Sequence, residues 1–155
     1  MIKASFLKKT LHFIRPAVTS RGTLHEKPVW YLFLYDDREP EIKGIGECSY
    51  IPGLNAETET DIDNKIKETC NKINHGYFDF KQGVNSYPSI NFAVETALID
   101  LRSGGERKLF PSDFVSGKDC IPINGLIWMG KRDEMLQQIN DKLKKNYRCL
   151  KLKIG

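Results

Sequence analysis

The stretch from Cys120 to Ile154 reads as strand, helix, strand, and its first strand is apolar on both faces. In Cys120 to Trp128, Ile121, Ile123, Leu126 and Ile127 flank an internal Asn124 and Gly125. Strands buried on both sides belong to parallel sheets. Lys131 to Asn146 then repeats apolar residues at helical spacing, which turns Met135, Leu136, Ile139 and Leu143 inward. Leu150 to Ile154 is the second strand. Together they form one β-α-β unit, with parallel strands and a right-handed crossover. Such a unit cannot bury its own faces. A whole (β/α)8 barrel takes about 250 residues, and this chain has 155. The expectation is a truncated (β/α) barrel, cut off in its second strand.

The preceding residues follow different rules. Ile2 to Phe13 alternates as a long strand that Arg15-Pro16 ends. Ala17 to Glu26 is polar, contains Thr19-Ser20-Arg21-Gly22, and reads as a loop by composition. Val29 to Tyr35 and Ile42 to Cys48 are two further strands around the turn Asp36 to Pro40. Three strands joined locally make an antiparallel meander. A helical period then places Ile62, Ile66, Cys70 and Ile73 on one face, with Gly76 as a left-handed stop. A second helix follows Pro88, with Ile90, Ala93, Val94, Ala97, Leu98 and Leu101 on its apolar face and Gly104-Gly105 behind it. Phe92, Ala93 and Ala97 suggest close packing against a neighbour. Leu109 to Lys118 reads as a linker. The expected organisation is an α+β N-terminal domain over residues 1–118, a three-stranded antiparallel meander plus helices, followed by the barrel start over 119–155.

Composition narrows the function classes. With 24 basic and 20 acidic residues the net charge is +4, too mild and too dispersed to call for nucleic acid, although a phosphate or carboxylate ligand would suit it. Cys48, Cys70, Cys120 and Cys149 show no paired metal spacing, and are expected to be free thiols serving as small buried hydrophobes. Lys3, Lys8, Lys9 and His12 interrupt the first apolar stretch, so no signal peptide is read there. No run approaches the ~20 apolar residues of a membrane helix. A cytoplasmic protein without a membrane partner is expected.

The chemistry-bearing residues lie at the end of the last strand. Alternation puts Cys149, Lys151 and Lys153 on one face and Leu150, Leu152 and Ile154 on the other. On a solvated sheet two such lysines mean nothing. At the C-terminal end of a barrel strand they stand where barrel enzymes keep their chemistry.

These features together resemble a known family. They are the meander, Gly44-Ile45-Gly46-Glu47 at the end of the third strand, and the helix from Pro88 to Leu101. The stretch Ile121 to Gly130 with its Asn-Gly-Leu-Ile-Trp-Met-Gly, and the closing Lys-Leu-Lys153, complete the set. The chain is similar to the N-terminal part of an enolase-superfamily enzyme of the muconate-lactonising subgroup. Ser20-Arg21-Gly22, the Asn-Gly-Leu-Ile-Trp-Met-Gly run and the lysine pair point within it to the o-succinylbenzoate synthase family. The resemblance implies a capping domain ahead of the barrel. It implies proton abstraction beside a carboxylate, giving an enediolate held on Mg²⁺, then loss of water from a small-molecule carboxylate substrate. Lys153 would be the general base and Lys151 its neighbour near the substrate carboxylate. Ser20, Arg21 and Gly22 would form a substrate-binding lid, Arg21 pairing with a carboxylate. The family's metal ligands come from later barrel strands, so no metal ligand is expected in this chain and the chain alone is expected to be inactive.

Two other functions compete. A dipeptide epimerase or a muconate cycloisomerase shares the scaffold, and fold does not fix function. A non-catalytic α+β interaction module would use Lys142, Lys144 and Lys145 against a partner. His12, His25 and His75 share no spacing and receive no role, Trp128 reads as core, Glu47 and Glu95 read as structural, and Ser49 to Leu54 is a candidate second lid segment.

Overall fold

The computed structural model describes residues 1–19 and 21–154. It divides into two compact units, one of Met1–His12 with Glu26–Pro111 and one of Phe13–His25 with Ser112–Gly155.

The first unit is built on a sheet of order β1-β2-β3, with β1 Ile2–Thr19, β2 Gly22–Asp36 and β3 Glu39–Ser49. β2 and β3 pair antiparallel, Trp30 opposite Cys48 and Leu32 opposite Gly46. Alternation along β2 sends Trp30, Leu32 and Leu34 to the same side, and all three are fully buried. Against them lie α1, Glu59–Asn74, and α2, Pro88–Arg102. The expected stripes are the observed ones: Ile62, Ile66, Cys70 and Ile73 from α1, and Ile90, Ala93, Val94 and Ala97 from α2. Phe92 points outward instead and is mostly exposed. Burying each large aliphatic or aromatic side chain contributes roughly 1.5–3 kcal/mol, so this cluster dominates the unit's stability.

Local chemistry fixes the ends of these elements. Thr58 caps α1, its hydroxyl accepting from the Asp61 N–H at 3.2 Å while the Asp61 carboxylate accepts the Thr58 N–H at 2.9 Å. Pro88 opens α2 at a position where its missing N–H costs nothing. Gly44 and Gly46 let β3 lie directly on the α2 backbone. A Cβ at Gly46 would collide with the Ala93 carbonyl oxygen, and one at Gly44 with that of Ala97.

Two polar side chains tie the unit together, and neither was anticipated. Asp100 is fully buried on the apolar face of α2. It accepts the Ile45 N–H at 2.9 Å and the Arg107 N–H at 2.7 Å, and also pairs with the Arg107 guanidinium. At the end of α1, Asn74 accepts the Ala4 N–H at 2.7 Å and donates to the Ala4 carbonyl at 3.0 Å. Its amide thus pairs with β1, the edge strand, as a neighbouring strand would.

The polar segment Ala17 to Glu26 is a correction. It is not a loop: β1 continues through Arg15 and Pro16 to Thr19, and β2 begins at Gly22. β1 is an edge strand, the kind of strand in which proline is found. Polar composition misled because the residues here are mostly exposed, and a two-stranded ribbon needs no apolar alternation to pair.

The second unit carries β4 Gly125–Ile127, α3 Arg132–Lys144 and β5 Leu150–Leu152. β4 and β5 are parallel as expected, with Gly125 opposite Leu150, Leu126 opposite Lys151 and Ile127 opposite Leu152. The strands are shorter than the sequence suggested. Ile121 and Ile123 lie outside β4 and are exposed, since apolar alternation alone makes no strand without a pairing partner. On α3 the half-buried positions are Met135, Gln138, Ile139 and Lys142, whereas Leu136 and Leu143 face outward. The thiols divide between the units: Cys48 and Cys70 are buried, and Cys120 and Cys149 are exposed. Burial pushes the Cys70 thiol up to about 11.

No helix among the described residues is long and apolar enough to cross a membrane.

Candidate active site

The lysine pair sits at the C-terminal end of the parallel pair β4–β5. The ladder runs from the Gly125 N–H, which donates to the Cys149 carbonyl at 2.8 Å, to the Lys153 N–H, which donates to the Ile127 carbonyl at 2.9 Å. Lys153 is therefore held by backbone pairing one residue beyond β5. The register places Lys151 beside Leu126, and both are exposed. On the other face Gly125 and Ile127 are buried under α3. A Cβ on Gly125 would come within 2.8 Å of the Leu150 side chain and 3.2 Å of the Lys142 Cβ. The helix-facing side is thus packed to contact, and the side bearing Lys151 and Lys153 is open.

At the top of β4 the chain turns into α3 under tight control. The Lys131 N–H donates to the Glu134 carboxylate at 3.0 Å, an acidic side chain at a helix N-terminus. The side-chain amide of Gln138 reaches back to the end of the strand. It accepts the Trp128 N–H at 2.8 Å and donates to the Trp128 carbonyl at 3.1 Å. Sequence reasoning missed this residue, because one glutamine on an amphipathic helix looks like any other solvent-face glutamine.

The β1–β2 turn belongs to the same unit. Arg21 is exposed, its N–H donating to the Thr19 hydroxyl at 3.2 Å, and that hydroxyl donates to the Gly22 carbonyl at 2.9 Å. Gly22 has φ of 136°, a conformation that favours glycine. Ser20 lies outside the described residues. Within the unit, Phe13, Pro16, Val18, Trp128 and Met129 line a groove of about 1120 Å³. The Trp128 indole Nε1 is buried with no acceptor among the described residues. Among those residues no hydrogen bond or ion pair joins Arg21 to the lysine pair.

The described residues hold no group of three or more His, Cys, Asp or Glu side chains able to bind a metal. A divalent ion of the kind the resemblance implies therefore finds no fitting donor set among the described residues.

No protein-family model matches the chain. It is 37% identical to the o-succinylbenzoate synthase of Desulfotalea psychrophila over 185 residues, 99% of this chain and 50% of that protein. The crystal structure of MenC from D. psychrophila superposes with a TM-score of 0.76 at 31% identity, covering 97% of this chain and 48% of that one. The chain has the fold of the N-terminal half of an o-succinylbenzoate synthase. It spans about half the length of the curated relative it matches. A dipeptide epimerase from Enterococcus faecalis, solved with Mg and the dipeptide L-Leu-L-Tyr, has a TM-score of 0.75 at 18% identity over 99% of this chain and 46% of its own. That likeness shows a shared fold.

Proposed function

We propose that this chain provides the capping domain, residues 1–118, and the opening of the barrel, residues 119–155, of an o-succinylbenzoate synthase acting in menaquinone biosynthesis. The observation that carries the reading is the 37% match to such a synthase along 99% of the chain. The parallel β4–β5 pair supports it, because it presents Lys151 and Lys153 together on one open face.

In this reading Lys153 is the general base. Its amine takes the proton from the carbon beside the substrate carboxylate, and the electron pair left behind spreads into that carboxylate as an enediolate. Collapse breaks the carbon–oxygen bond at the neighbouring carbon, the Lys153 ammonium returns its proton to the departing hydroxide, water leaves, and the cyclohexadiene ring becomes aromatic. Lys151 stands beside the base and holds the carboxylate by charge. Ser20, Arg21 and Gly22 form a lid over the substrate, with Arg21 pairing with a carboxylate. Mg²⁺, whose presence in the epimerase structure supports it as the superfamily's ion, would be bound by residues this chain does not contain. It supplies charge stabilisation to the enediolate when bound. The chain alone does not turn over substrate, and the complete enzyme acts in the cytoplasm.

The test is made in a full-length synthase carrying this half. Lys153→Ala should lower turnover by more than the ~10²–10⁴-fold typical of losing a general base. Lys153→Arg should be nearly as damaging, since a guanidinium keeps the charge and cannot accept the proton. Near-normal turnover in Lys153→Arg would make Lys153 an electrostatic anchor. Epimerisation of a dipeptide with no action on the cyclohexadiene acid would replace the reading altogether.

A further inference from the structure

The Gln138 clamp has no counterpart in the chemistry assigned so far. A parallel strand offers its N–H and C=O groups alternately to its two neighbours. The Ile127 carbonyl accepts from the N–H of Lys153, one residue beyond β5. Trp128 is the next residue, and its peptide groups meet the side chain of Gln138 in place of a strand. One carboxamide satisfies both, as Asn74 does for Ala4 in the other unit. The two cases differ in position. Asn74 meets β1 near its start, whereas Gln138 meets β4 at its C-terminal end, next to the residue bonded to Lys153.

We propose that Gln138 is a positioning residue: its carboxamide fixes the Trp128 peptide, and through it the end of β4 against which Lys153 is aligned. The proposal rests on reading this end of the β4–β5 pair as the active end. Three facts converge on it. The clamp is bidentate and half-buried, so losing it would strand two backbone groups. The clamped residue adjoins the only backbone bond among the described residues that holds Lys153. The same residue carries a buried indole N–H with no acceptor among the described residues, in a groove where Phe13, Pro16 and Val18 meet polar side chains that include Gln138. Buried donors are seldom left unpaired, so a fixed Trp128 peptide also fixes where that donor is offered. Gln138 itself touches no substrate. It acts through Trp128 and Ile127.

Two measurements on the full-length synthase test this. The first is hydrogen exchange. Gln138→Leu should speed exchange of the Trp128 amide at least about tenfold, the loss of roughly one hydrogen bond. The second is steady-state kinetics. Misplacement of a reacting group by a distant change can cost up to about 10²-fold, so Gln138→Leu should lower kcat about 10- to 100-fold with KM within about threefold. Gln138→Glu keeps an oxygen for the Trp128 N–H and should recover part of kcat. An unchanged Trp128 amide would overturn the clamp. A lost clamp with unchanged kcat, or a loss confined to KM, would overturn the positioning role while the synthase reading stood. Inactivity of the unmodified full-length protein would overturn that reading and the role together.

Discussion

The two units solve the same problem with opposite means. In the first, three strands and two helices enclose a contiguous cluster from Ala4 to Ala97 that includes Trp30, Leu32 and Leu34. Its one fully buried carboxylate, Asp100, receives two backbone N–H groups and a guanidinium. In the second, Ile127 is the sole buried large hydrophobic among the described residues, and α3 buries none of its own. What order the second unit has comes from backbone pairing and from caps: the β4–β5 ladder, the Glu134 cap, the Gln138 clamp. A sheet covered on one face can close a core locally. A parallel pair with helices on one side cannot, because its other face must meet further strands. The region that carries the candidate chemistry is thus the one with the weakest local packing, and the region with the strongest packing carries none of it.

The sharpest way to break this contrast is to attack the first unit at its closest contact. Gly46→Ala should rank among the most damaging single changes, because the new methyl meets the α2 backbone and not a movable side chain. We expect a loss of about 3 kcal/mol or more, at the upper end of overpacking costs, read as a collapse of the denaturant midpoint. A variant as stable as the parent would mean that the seam between β3 and α2 is looser than described. Truncating Trp30 to alanine follows, at about 3–5 kcal/mol for a fully buried aromatic. In the same experiment Ile127→Ala should leave the first unit's transition within about 0.5 kcal/mol, as distant changes do. A matching loss in both variants would merge the two units into one cooperative block.

Smaller effects sharpen the comparison. Arg107→Ala removes the cationic partner of buried Asp100 but leaves the Ile45 and Arg107 N–H donors. Because the Arg107 side chain is half exposed, the expected loss is about 1–3 kcal/mol and not that of a fully buried pair. Thr58→Ala should cost about 1 kcal/mol through the lost cap. The pH dependence of that cap is also fixed in sign. The Thr58 hydroxyl, then its backbone N–H, holds the Asp61 carboxyl below its ordinary value of 3.8. A carboxyl lowered on folding stabilises above its unfolded value, and that stabilisation is lost as pH falls through the folded one. Below about pH 4 the gap between parent and Thr58→Ala should narrow. A gap that widens on acidification would show that the cap does not act through the ionised carboxylate.

How much was legible in the sequence follows the same division. Ile62, Ile66, Cys70 and Ile73 announce α1 because the helix has a core to face, and the β2 alternation of Trp30, Leu32 and Leu34 is legible for the same reason. Where no core stands behind the residues, composition misleads in both directions. Polar Thr19 and Gly22 belong to strands, and apolar Ile121 and Ile123 do not. Lys151 and Lys153 were visible because spacing on a strand encodes a shared face. Gln138, Asn74 and Asp100 were not, because a side chain that bonds to distant backbone leaves no periodic trace. Asp100 alone offered a hint, as a carboxylate standing on the apolar stripe of α2.

The seam between β3 and α2 has a further consequence. Its fit is made of absences, since at Gly44 and Gly46 the space a side chain would need is filled by carbonyl oxygens. Elsewhere in the cluster a leucine can drift to methionine or isoleucine in steps that each leave a working protein. From glycine there is no such first step: every replacement adds at least a Cβ. These two positions are cliffs in an otherwise graded landscape, and a library of random variants should return this seam unchanged while the packing around it diversifies.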